Sequence, residues 1–321
     1  CGTLGHAALE TVGEDCDVII LDHHLGSEED PKCHSIVNPN RQIESGVLSY
    51  LCAAGVVFLT LVECGRQLKD INKTSPNLMD FLDLVALGTV ADVAPLTGVN
   101  RAFVRQGLKI LSNRKRLGLK FLFDKSGINS SPTSYHLGYI LGPKLNAPGR
   151  IGPADLALKL LCSISTSEAN DLCEQIEELN KKRREIENIA REQALAQIDK
   201  NQSENSIIWA ASEGWHPGVV GIVASRLKDK FKKPSIVIGF DGIDGKGSGR
   251  SVDGYDLGHA IQRLQREGLI QKGGGHKMAA GLSLTMDQLK PAMDRLCELA
   301  EKAKIVNAEA QELLVDGILF I

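Results

Sequence analysis

The hydrophobic and polar positions of residues 1–165 alternate between short apolar runs and helical patterns, which is typical of α/β folds. Residues 17–21, DVIIL, form a short and largely β-branched run, which predicts a buried parallel strand. Two longer apolar stretches predict core elements: a buried helix over residues 46–68, and a segment over residues 79–96 that Pro95 stops. This part of the chain is therefore predicted to be an α/β domain.

The pattern changes at Ser165, where a long helical periodicity begins. Ser165 and Glu168 have the spacing of a capping box, and apolar residues then recur near helical spacing for about 33 residues. The heptads are too few and too irregular to predict a coiled coil. We interpret residues 165–202 as a connecting helix whose charged side chains form its solvated face.

Residues 203–304 combine strand-like and helix-like segments with dense glycine. The runs SIIWAA and PSIVIGF predict strands, and GVVGIVASRLKDKF and DLGHAIQRLQREG predict helices. Apolar residues alternate with others over residues 312–321, which predicts a strand that has lost its partner strands. We expect this end of the chain to stop inside a third domain.

Composition and charge narrow the classes of function. The net charge of −3 excludes an overall basic field, so a phosphate-binding site must be a local patch. The eight cysteines form no C-x-x-C pair, which indicates a reducing, cytoplasmic location, and no apolar run is long enough for a membrane span. Aromatic residues make up 4% of the chain and are not interleaved with basic ones, which argues against a base-stacking platform.

Three polar residues, Asp22, His23 and His24, directly follow the predicted strand. Ligands gather beyond the carboxyl ends of strands in open α/β sheets, and imidazole with carboxylate suits a divalent metal ion. Since side chains alternate along extended backbone, the simplest metal site has one histidine as ligand, the other facing substrate, and Asp22 orienting them. An exposed polar strand end explains the tripeptide equally well. Asp92 is a further candidate ligand, although a lone carboxylate after an apolar segment is more often a cap or turn residue.

Glycine-rich segments supply the candidate anion sites. Residues 144–150, KLNAPGR, predict a turn, and the alternative is that Arg150 meets a phosphate or stacks on a base. Residues 245–251 and 272–281 predict two loops whose amides, hydroxyls and cations bind phosphate. His216 precedes a predicted helix, where an anion contact and a helix cap are equally good interpretations.

Six segments occur in an order and at spacings that resemble one known family: LDHH, ALGTVADVAPL, LNAPGR, GWHPGVVGIVASRL, GSGRS and GGGHKMAAG. Over nearly its whole length the chain is similar to the RecJ-like single-strand-specific exonucleases of the DHH phosphoesterase superfamily. The resemblance implies an α/β fold. Its expected parts are a parallel-sheet DHH domain (1–164), the connecting helix (165–202), a smaller α/β DHH-associated domain (203–304) and the start of an oligonucleotide-binding barrel (305–321).

The resemblance also implies an activity and its requirements. The expected reaction is stepwise hydrolysis of single-stranded DNA from the 5′ end, in DNA repair and recombination. Two divalent ions, Mn or Mg, are expected in the complete protein. The expected substrate is single-stranded DNA with a 5′-phosphate. A single-strand-binding protein and a helicase are candidate partners, and no membrane is involved.

Site residues follow from the same motifs. His23 and Asp92 resemble the metal ligands. His24 resembles the residue that touches phosphate, and Asp22 supports it, so these two form the expected catalytic pair. The expected substrate-binding residues are Arg150 near the scissile end, Ser248 and Arg250 in a 5′-phosphate pocket, and Gly274, Gly275 and His276 in a wall that closes the cleft.

The sequence departs from this family at its beginning. RecJ-like enzymes carry a D-x-D-x-x-G loop and a further aspartate before a turn like CGT, and this sequence starts at Cys1 of that turn. His23 and Asp92 alone cannot hold two ions. We therefore expect a fragment, truncated at both ends, that is inactive or impaired by itself. The alternatives are a DHH phosphodiesterase acting on short oligonucleotides or cyclic dinucleotides, and a non-catalytic nucleic-acid-binding relative.

Overall fold

A computed structural model describes residues 2–13, 15–201 and 205–303, and the chain divides into two compact units. The first unit comprises Cys1–Pro148 and Asp155–Glu177, and the second comprises Gly149–Ala154 and Glu178–Ile321. None of the described helices is both long and apolar enough to cross a lipid bilayer. The strand predicted at residues 312–321 lies outside the described residues.

The described part of the first unit contains a two-stranded sheet and a set of helices. The strands are β1 (Ile19–Leu21) and β2 (Ser35–Val37). The helices are α1 (His6–Leu9), α2 (Ala53–Asp70), α3 (Leu82–Ala91), α4 (Gly98–Ser112), α5 (Leu117–Lys125), α6 (Gly142–Ile151), which continues into the second unit, and α7 (Leu156–Cys162). A π-helix, His136–Leu141, leads into α6, and short 3-10 helices cover Gly2–Leu4 and Leu78–Phe81.

Strand β1 confirms the predicted parallel strand, which pairs with β2 so that Ile20 lies opposite Ile36. Ile20 is buried, whereas Ile19 is 62% exposed. The prediction that the whole strand is buried is therefore wrong, because no described element covers the Ile19 face. The carboxyl end of β1 delivers Asp22 directly into the turn that follows.

Helices α2 and α3 form the apolar core beside this sheet. Helix α2 begins only at Ala53, later than the apolar run predicts, because residues 47–50 form turns and the two residues after them are not helical. Helix α3 is buried through Val85 and Ala86, which confirms a core element here, but it ends at Ala91 with Asp92 as its C-cap, before the predicted stop at Pro95. Helix α4 packs closely on α3: a Cβ on Gly107 would lie 2.2 Å from the Leu82 carbonyl oxygen.

Helix α6 contradicts the turn predicted at residues 144–150. The segment is helical even though Pro148 lies inside it and cannot donate a backbone hydrogen bond. Lys144, Ala147 and Pro148 are buried, so tertiary packing overrides the turn-forming composition. Arg150 consequently sits in the last turn of a helix.

Helix α8 (Thr166–Asn201) confirms the long predicted helix. Only half of the capping box forms: the Glu168 amide donates to the Ser165 hydroxyl at 3.4 Å, whereas the Glu168 carboxylate accepts from Ser163 at 2.6 Å. The prediction that its charges form a solvated face is wrong for Arg183 and Glu187, which are buried and bonded to each other. Burial of this pair is tolerated because each charge has a partner.

The second unit is built on a mixed five-stranded sheet in the order β3-β4-β5-β7-β6. Strands β3 and β4 are parallel, and the other neighbours are antiparallel. The strands are β3 (Ile208–Glu213), β4 (Ser235–Asp241), β5 (Asp244–Arg250), β6 (Lys272–His276) and β7 (Ala279–Thr285). The helices are α9 (Pro217–Phe231), α10 (Leu257–Arg266) and α11 (Met286–Lys302). The strands and helices predicted over residues 206–268 are confirmed.

Strand β5 contradicts the loop predicted at residues 245–251 and explains its glycines. Every second residue faces the apolar core, where a Cβ on Gly247 would lie 2.8 Å from Ile238 and one on Gly249 would lie 2.6 Å from Leu257. The strand is paired on both sides, with β4 and β7, so its backbone amides cannot form the predicted anion-binding loop. The polar side chains between the glycines point to the opposite face of the sheet.

Candidate functional site

The Asp22 carboxylate is the centre of the turn that follows β1. It is almost fully buried. One of its oxygens accepts the backbone amides of His23 (2.7 Å) and His24 (3.2 Å) together with Nδ1 of His24 (2.7 Å). The other oxygen accepts the amide of Thr3 at 2.9 Å.

These contacts determine the protonation states in the turn. Burial alone raises the pKa of Asp22, but the hydrogen bonds from Thr3 and His24 outweigh it and hold the pKa well below its usual range. Asp22 is therefore ionised and accepts the Nδ1 proton of His24. The Nε2 atom of His24 is therefore free to contact a ligand, and the His24 side chain is 54% exposed.

Two asparagines that follow β2 hold the same turn from the other side. The Asn38 side-chain amide donates to the Thr3 hydroxyl at 2.9 Å and to the His24 carbonyl at 2.8 Å. The Asn40 side-chain amide donates to the His23 carbonyl at 2.7 Å. The parallel pairing of β1 and β2 brings both ends to one edge of the sheet. The turn is thus fixed by side chains as well as by its own backbone.

His23 and Asp92 approach each other from different elements. Asp92 is the residue at which α3 ends, so the interpretation as a helix-cap residue is confirmed. Its Oδ2 atom lies 3.7 Å from Nδ1 of His23, so the convergence that a metal site requires is also present. His23 is largely covered and Asp92 is half-exposed, which places the pair at the surface of the unit.

The donor set fits part of a divalent metal site. An imidazole nitrogen and a carboxylate oxygen this close can share one ion, whose bonds to such ligands are about 2 Å long. Within residues 2–13, 15–201 and 205–303, no group of three or more His, Cys, Asp or Glu side chains is placed to hold a metal ion. His23 and Asp92 therefore supply two ligands, and an ion needs further oxygen or nitrogen donors to complete its shell.

A second cluster lies in the other unit, where β5 faces α9. The Arg250 guanidinium donates to the Ser248 hydroxyl at 3.0 Å and to the Gly249 carbonyl at 2.8 Å. Both side chains lie against Gly221 of α9: a Cβ there would be 3.0 Å from the Ser248 oxygen and 3.2 Å from an Arg250 nitrogen. Glycine at this position therefore makes room for the arginine and the serine.

Arg150 adds a second guanidinium to this cluster. Its Nη1 donates to the carbonyl of Gly218 in the first turn of α9 at 3.1 Å. Partial desolvation, and then the nearby Arg183 charge, lower the pKa of Arg150. Desolvation, and then the Arg150 charge, lower the pKa of Arg250. Cations that crowd one another in this way are stabilised by binding an anion.

His216 caps the helix beside this cluster. It is the N-cap of α9, and its Nδ1 accepts the amide of Gly218 at 3.0 Å. The helix-cap interpretation of His216 is therefore confirmed. The first turn of α9 keeps its positive end next to Arg150, which adds to the positive potential there.

The segment KGGGH contradicts the predicted loop, because it forms strand β6 paired with β7. Two rows of residues cross the sheet in register: Ser248–Gly281–Gly274 and Arg250–Ala279–His276. Residues paired across neighbouring strands share a face, so all six belong to the face of the sheet that carries Ser248 and Arg250. A Cβ on Gly274 would meet nothing within 4 Å, and Gly281 is exposed, so the first row is a shallow trough.

Gly275 belongs to the opposite face of β6. Its φ is 152°, a backbone conformation that favours glycine. A Cβ there would lie 2.3 Å from the Ala279 carbonyl oxygen, and the backbone of Gly258 in α10 also packs against this residue. Gly275 therefore shapes the strand through its backbone, and both Gly275 and His276 are exposed at the end of β6.

Comparison with known proteins identifies the family. Residues 1–89 match the family described as "DHH family, N-terminal domain", and residues 204–302 match the "DHHA1 domain". A solved structure, "exonuclease RecJ bound to manganese", superimposes with a TM-score of 0.75 at 30% identity, over 94% of this chain and 74% of that chain. The chain is a RecJ-like member of the DHH family.

Further relatives agree with this assignment. The RecJ-like chain is 36% identical to the single-stranded-DNA-specific exonuclease RecJ of Escherichia coli (strain K12), over 98% of this chain and 58% of the relative. It is 37% identical to the RecJ of Bacillus subtilis (strain 168), over 89% of this chain and 35% of that relative. The crystal structure of RecJ in complex with Mn2+ from Thermus thermophilus superimposes with a TM-score of 0.81 at 29% identity, over 94% of this chain and 44% of that chain. The chain thus spans about a third to three fifths of the curated relatives named here.

The predicted site residues of this RecJ-like chain fall into two groups. Asp22, His23, His24 and Asp92 come together in the first unit. Arg150, Ser248, Arg250, Gly274 and His276 belong to one region of the second unit, whereas Gly275 alternates to the other face of β6. Their functional roles remain predictions, while their placement in these two groups is a property of the structure.

Sequence reasoning missed the residues that hold the DHH turn. Thr3 and Asn38 are buried and contact Asp22 and the His24 carbonyl, yet neither was a candidate. The signal that could have identified them is NPN at residues 38–40, directly after a second short apolar strand. Asparagine at the end of a parallel strand neighbouring β1 is placed to hydrogen-bond the adjacent turn.

Proposed function

We propose that the protein is a metal-dependent exonuclease that hydrolyses the phosphodiester bonds of single-stranded DNA stepwise from the 5′ end, in DNA repair and recombination. The observation that carries this proposal is the approach of His23 to Asp92 beside a turn held by buried Asp22. The names of the relatives, single-stranded-DNA-specific exonuclease, support the class of substrate.

His23 and Asp92 would hold one divalent ion, Mn or Mg, and two ions are expected in the complete protein. The chemistry of the donors supports this role, as do the relatives crystallised in complex with Mn2+. A bound ion of this kind neutralises charge on a phosphate and lowers the pKa of water. The role of the chain is to aim the His23 ring, which the hydrogen bond from Asn40 to the His23 carbonyl supports.

His24 and Asp22 would act as the catalytic pair. Because Asp22 takes the Nδ1 proton of His24, the ring has a fixed tautomer and orientation, and its exposed Nε2 can contact a phosphate oxygen. Asp22 is buried and makes no contact with substrate in this role. It positions His24 and the backbone that carries His23.

Arg150, Ser248 and Arg250 would bind the substrate, the last two as the pocket for the terminal 5′-phosphate. Two guanidiniums that crowd each other next to a helix N-terminus favour a doubly charged phosphate over a single backbone charge. The trough formed by Ser248, Gly281 and Gly274 would let the strand approach the sheet closely. We also assign His276 and Gly275 to the wall beside the substrate that the family resemblance implies. In this wall, the backbone of Gly275 shapes the strand that carries His276.

Domain limits and cellular context belong to the same proposal. We assign residues 1–164 to the DHH domain, 165–202 to the connecting helix, 203–304 to the DHH-associated domain and 305–321 to the start of an oligonucleotide-binding domain. The family matches at 1–89 and 204–302 support the first and third assignments. A cytoplasmic location, with a single-strand-binding protein and a helicase as partners, suits an enzyme of DNA repair.

The test is the polarity and strand specificity of hydrolysis by the full-length gene product with Mn2+. A 5′-phosphorylated single strand carrying a label at either end is compared with the same strand as a duplex and with a cyclic dinucleotide. We expect mononucleotides to be released from the 5′ end of the single strand alone. Hydrolysis of the cyclic dinucleotide in preference to the long strand, or no hydrolysis of any substrate, would contradict the proposal.

A further inference from the structure

Two tyrosines of the first unit lie stacked on the surface with no role in the sites described so far. The rings of Tyr135 and Tyr139 are 5.0 Å apart between centroids and 26° from parallel. Tyr135 is 60% exposed and Tyr139 is 71% exposed. Such rings normally lose most of their exposed area on folding, so an exposed stacked pair at the surface is an exception.

The backbone holds this pair in a defined place. The two residues are four apart, in and just before the π-helix His136–Leu141. Single π-helical turns are rare and are found frequently at functional sites. The His136 ring meets Tyr135 edge-on at 6.2 Å and is itself fixed by the Thr133 amide, which donates to its Nδ1 at 3.1 Å.

The π-helix packs against the end of α3, where Asp92 lies. A Cβ on Gly138 would lie 3.2 Å from Val90, and one on Gly142 would lie 3.3 Å from Ala91. The glycines therefore let the π-helix approach the last turn of α3, and the tyrosines are left on exposed positions of the same element. The stacked pair thus belongs to the element that lies directly against the helix end carrying Asp92.

The chemistry of the two tyrosines indicates which class of ligand they would bind. A flat ring with an open face and a polar hydroxyl offers stacking area without a charge, which suits a nucleobase. Every base has such a face, so the contact needs no particular sequence. The low aromatic content argued against a stacking platform, but composition cannot show that two of four tyrosines stand one helical turn apart.

We propose that Tyr135 and Tyr139 form a nucleobase-stacking subsite that holds the single strand next to the His23–Asp92 site. This inference rests on the proposed function, because it takes single-stranded DNA as the ligand. A base stacked there hinders sliding of the strand. It holds the strand in place while other residues of the protein contact the phosphates. Stacking also requires an unpaired base, so the subsite favours single strands over duplexes.

The test compares Tyr135→Ala/Tyr139→Ala with Tyr135→Phe/Tyr139→Phe in the full-length gene product. The phenylalanine variant keeps both rings and controls for the loss of the hydroxyls. The probes are a 5′-phosphorylated oligothymidylate and the same backbone with abasic sites, bound in Ca2+ without hydrolysis. We expect the alanine variant to lose about tenfold or more in affinity for the oligothymidylate, since one stacked base contributes on that order.

Three further results distinguish a base-stacking subsite from other roles of the two tyrosines. We expect the phenylalanine variant to bind like the wild type, the abasic strand to bind both variants equally, and the salt dependence of binding to stay unchanged because no cation is removed. Unchanged oligothymidylate affinity in the alanine variant, while the wild type binds normally, would overturn the subsite alone and leave a protein-docking role for the tyrosines. A wild type that binds no single strand would overturn both the subsite and the proposed function.

Discussion

The Nδ1 atom of His24 lies 2.7 Å from the carboxylate of Asp22, which is almost fully buried and accepts three backbone amides as well. One carboxylate thus fixes both the path of the DHH turn and the tautomer of its last histidine. A buried charge can play this role only because every contact donates a hydrogen bond to it. The turn is therefore a rigid support for His23 rather than a polar strand end.

Replacing Asp22 with Asn should destabilise the first unit and impair hydrolysis. The amide cannot accept all four N–H groups, and hydrogen bonds to a charged group contribute about 1.5–3 kcal/mol each, so we expect a loss of about 2 kcal/mol in the free energy of unfolding. Denaturant unfolding measures it. The matched control is Asp17→Asn, an exposed carboxylate just before β1, which should cost less than about 0.5 kcal/mol. Equal stability of the two variants would show that Asp22 is not the support described here.

Gly249→Ala should destabilise the second unit because its Cβ would lie 2.6 Å from Leu257 in the core. Overpacking of this kind costs about 1–3 kcal/mol in the free energy of unfolding. Gly274→Ala, in the same sheet but with nothing within 4 Å of its Cβ, should leave stability unchanged and weaken the binding of single-stranded DNA. Thermal unfolding and a binding titration measure the two effects. If both variants unfold like the wild type, β5 does not pack as described.

Arg250→Ala should remove the preference for a 5′-phosphate. The guanidinium lies beside the Ser248 hydroxyl, and its loss removes a charge-assisted contact with a doubly charged end. We expect the ratio of affinities for phosphorylated and unphosphorylated strands to fall about tenfold. Lys290→Ala, on an exposed site of α11, is the control and should leave the ratio unchanged. A ratio that is the same in wild type and Arg250→Ala would remove this residue from the pocket.

Cys173 should resist alkylation in the folded protein. Burial, and then the nearby Glu177 charge, raise the pKa of its thiol to about 11, so only about one molecule in a thousand carries the thiolate at pH 8. Exposed Cys64 and Cys162 should react first with iodoacetamide, as peptide mass spectrometry would show. The folded pKa exceeds the ordinary value of 9.0, so this thiol favours folding below pH 9 and loses that contribution as the pH rises toward 11. Labelling of Cys173 as fast as Cys64 at pH 8 would contradict its burial.

The glycine-rich segments show where sequence patterns are ambiguous. Alternation of glycine with polar residues in GKGSGR indicated a loop, yet it is the period of a strand whose inner face is too crowded for any side chain. The crowding comes from Ile238 and Leu257, which are distant in sequence, so local composition could not show it. Ser248 and Arg250 were grouped by the family resemblance and not by the loop prediction, and they are neighbours because their spacing of two places them on one face of the strand.

Other parts of the site depended on tertiary contacts in the same way. Asp92 was predicted as a cap or turn residue and does cap α3, but its approach to His23 depends on the fold and not on the local sequence. The helical state of residues 144–150 depends on the burial of Lys144 and Ala147, against the local effect of Pro148. Long periodic elements such as α8 were predicted well, because many residues contribute to one signal.

The most direct test of the central claim is a double-mutant cycle on His23 and Asp92, measured as Mn2+-dependent hydrolysis of a 5′-phosphorylated single strand by the full-length gene product. If the two residues serve one metal ion, His23→Ala and Asp92→Ala should each reduce the rate by about 100-fold or more. The double variant should then be little worse than either single variant, because the ion is already lost. Full activity of His23→Ala, or losses that multiply in the double variant, would contradict the account.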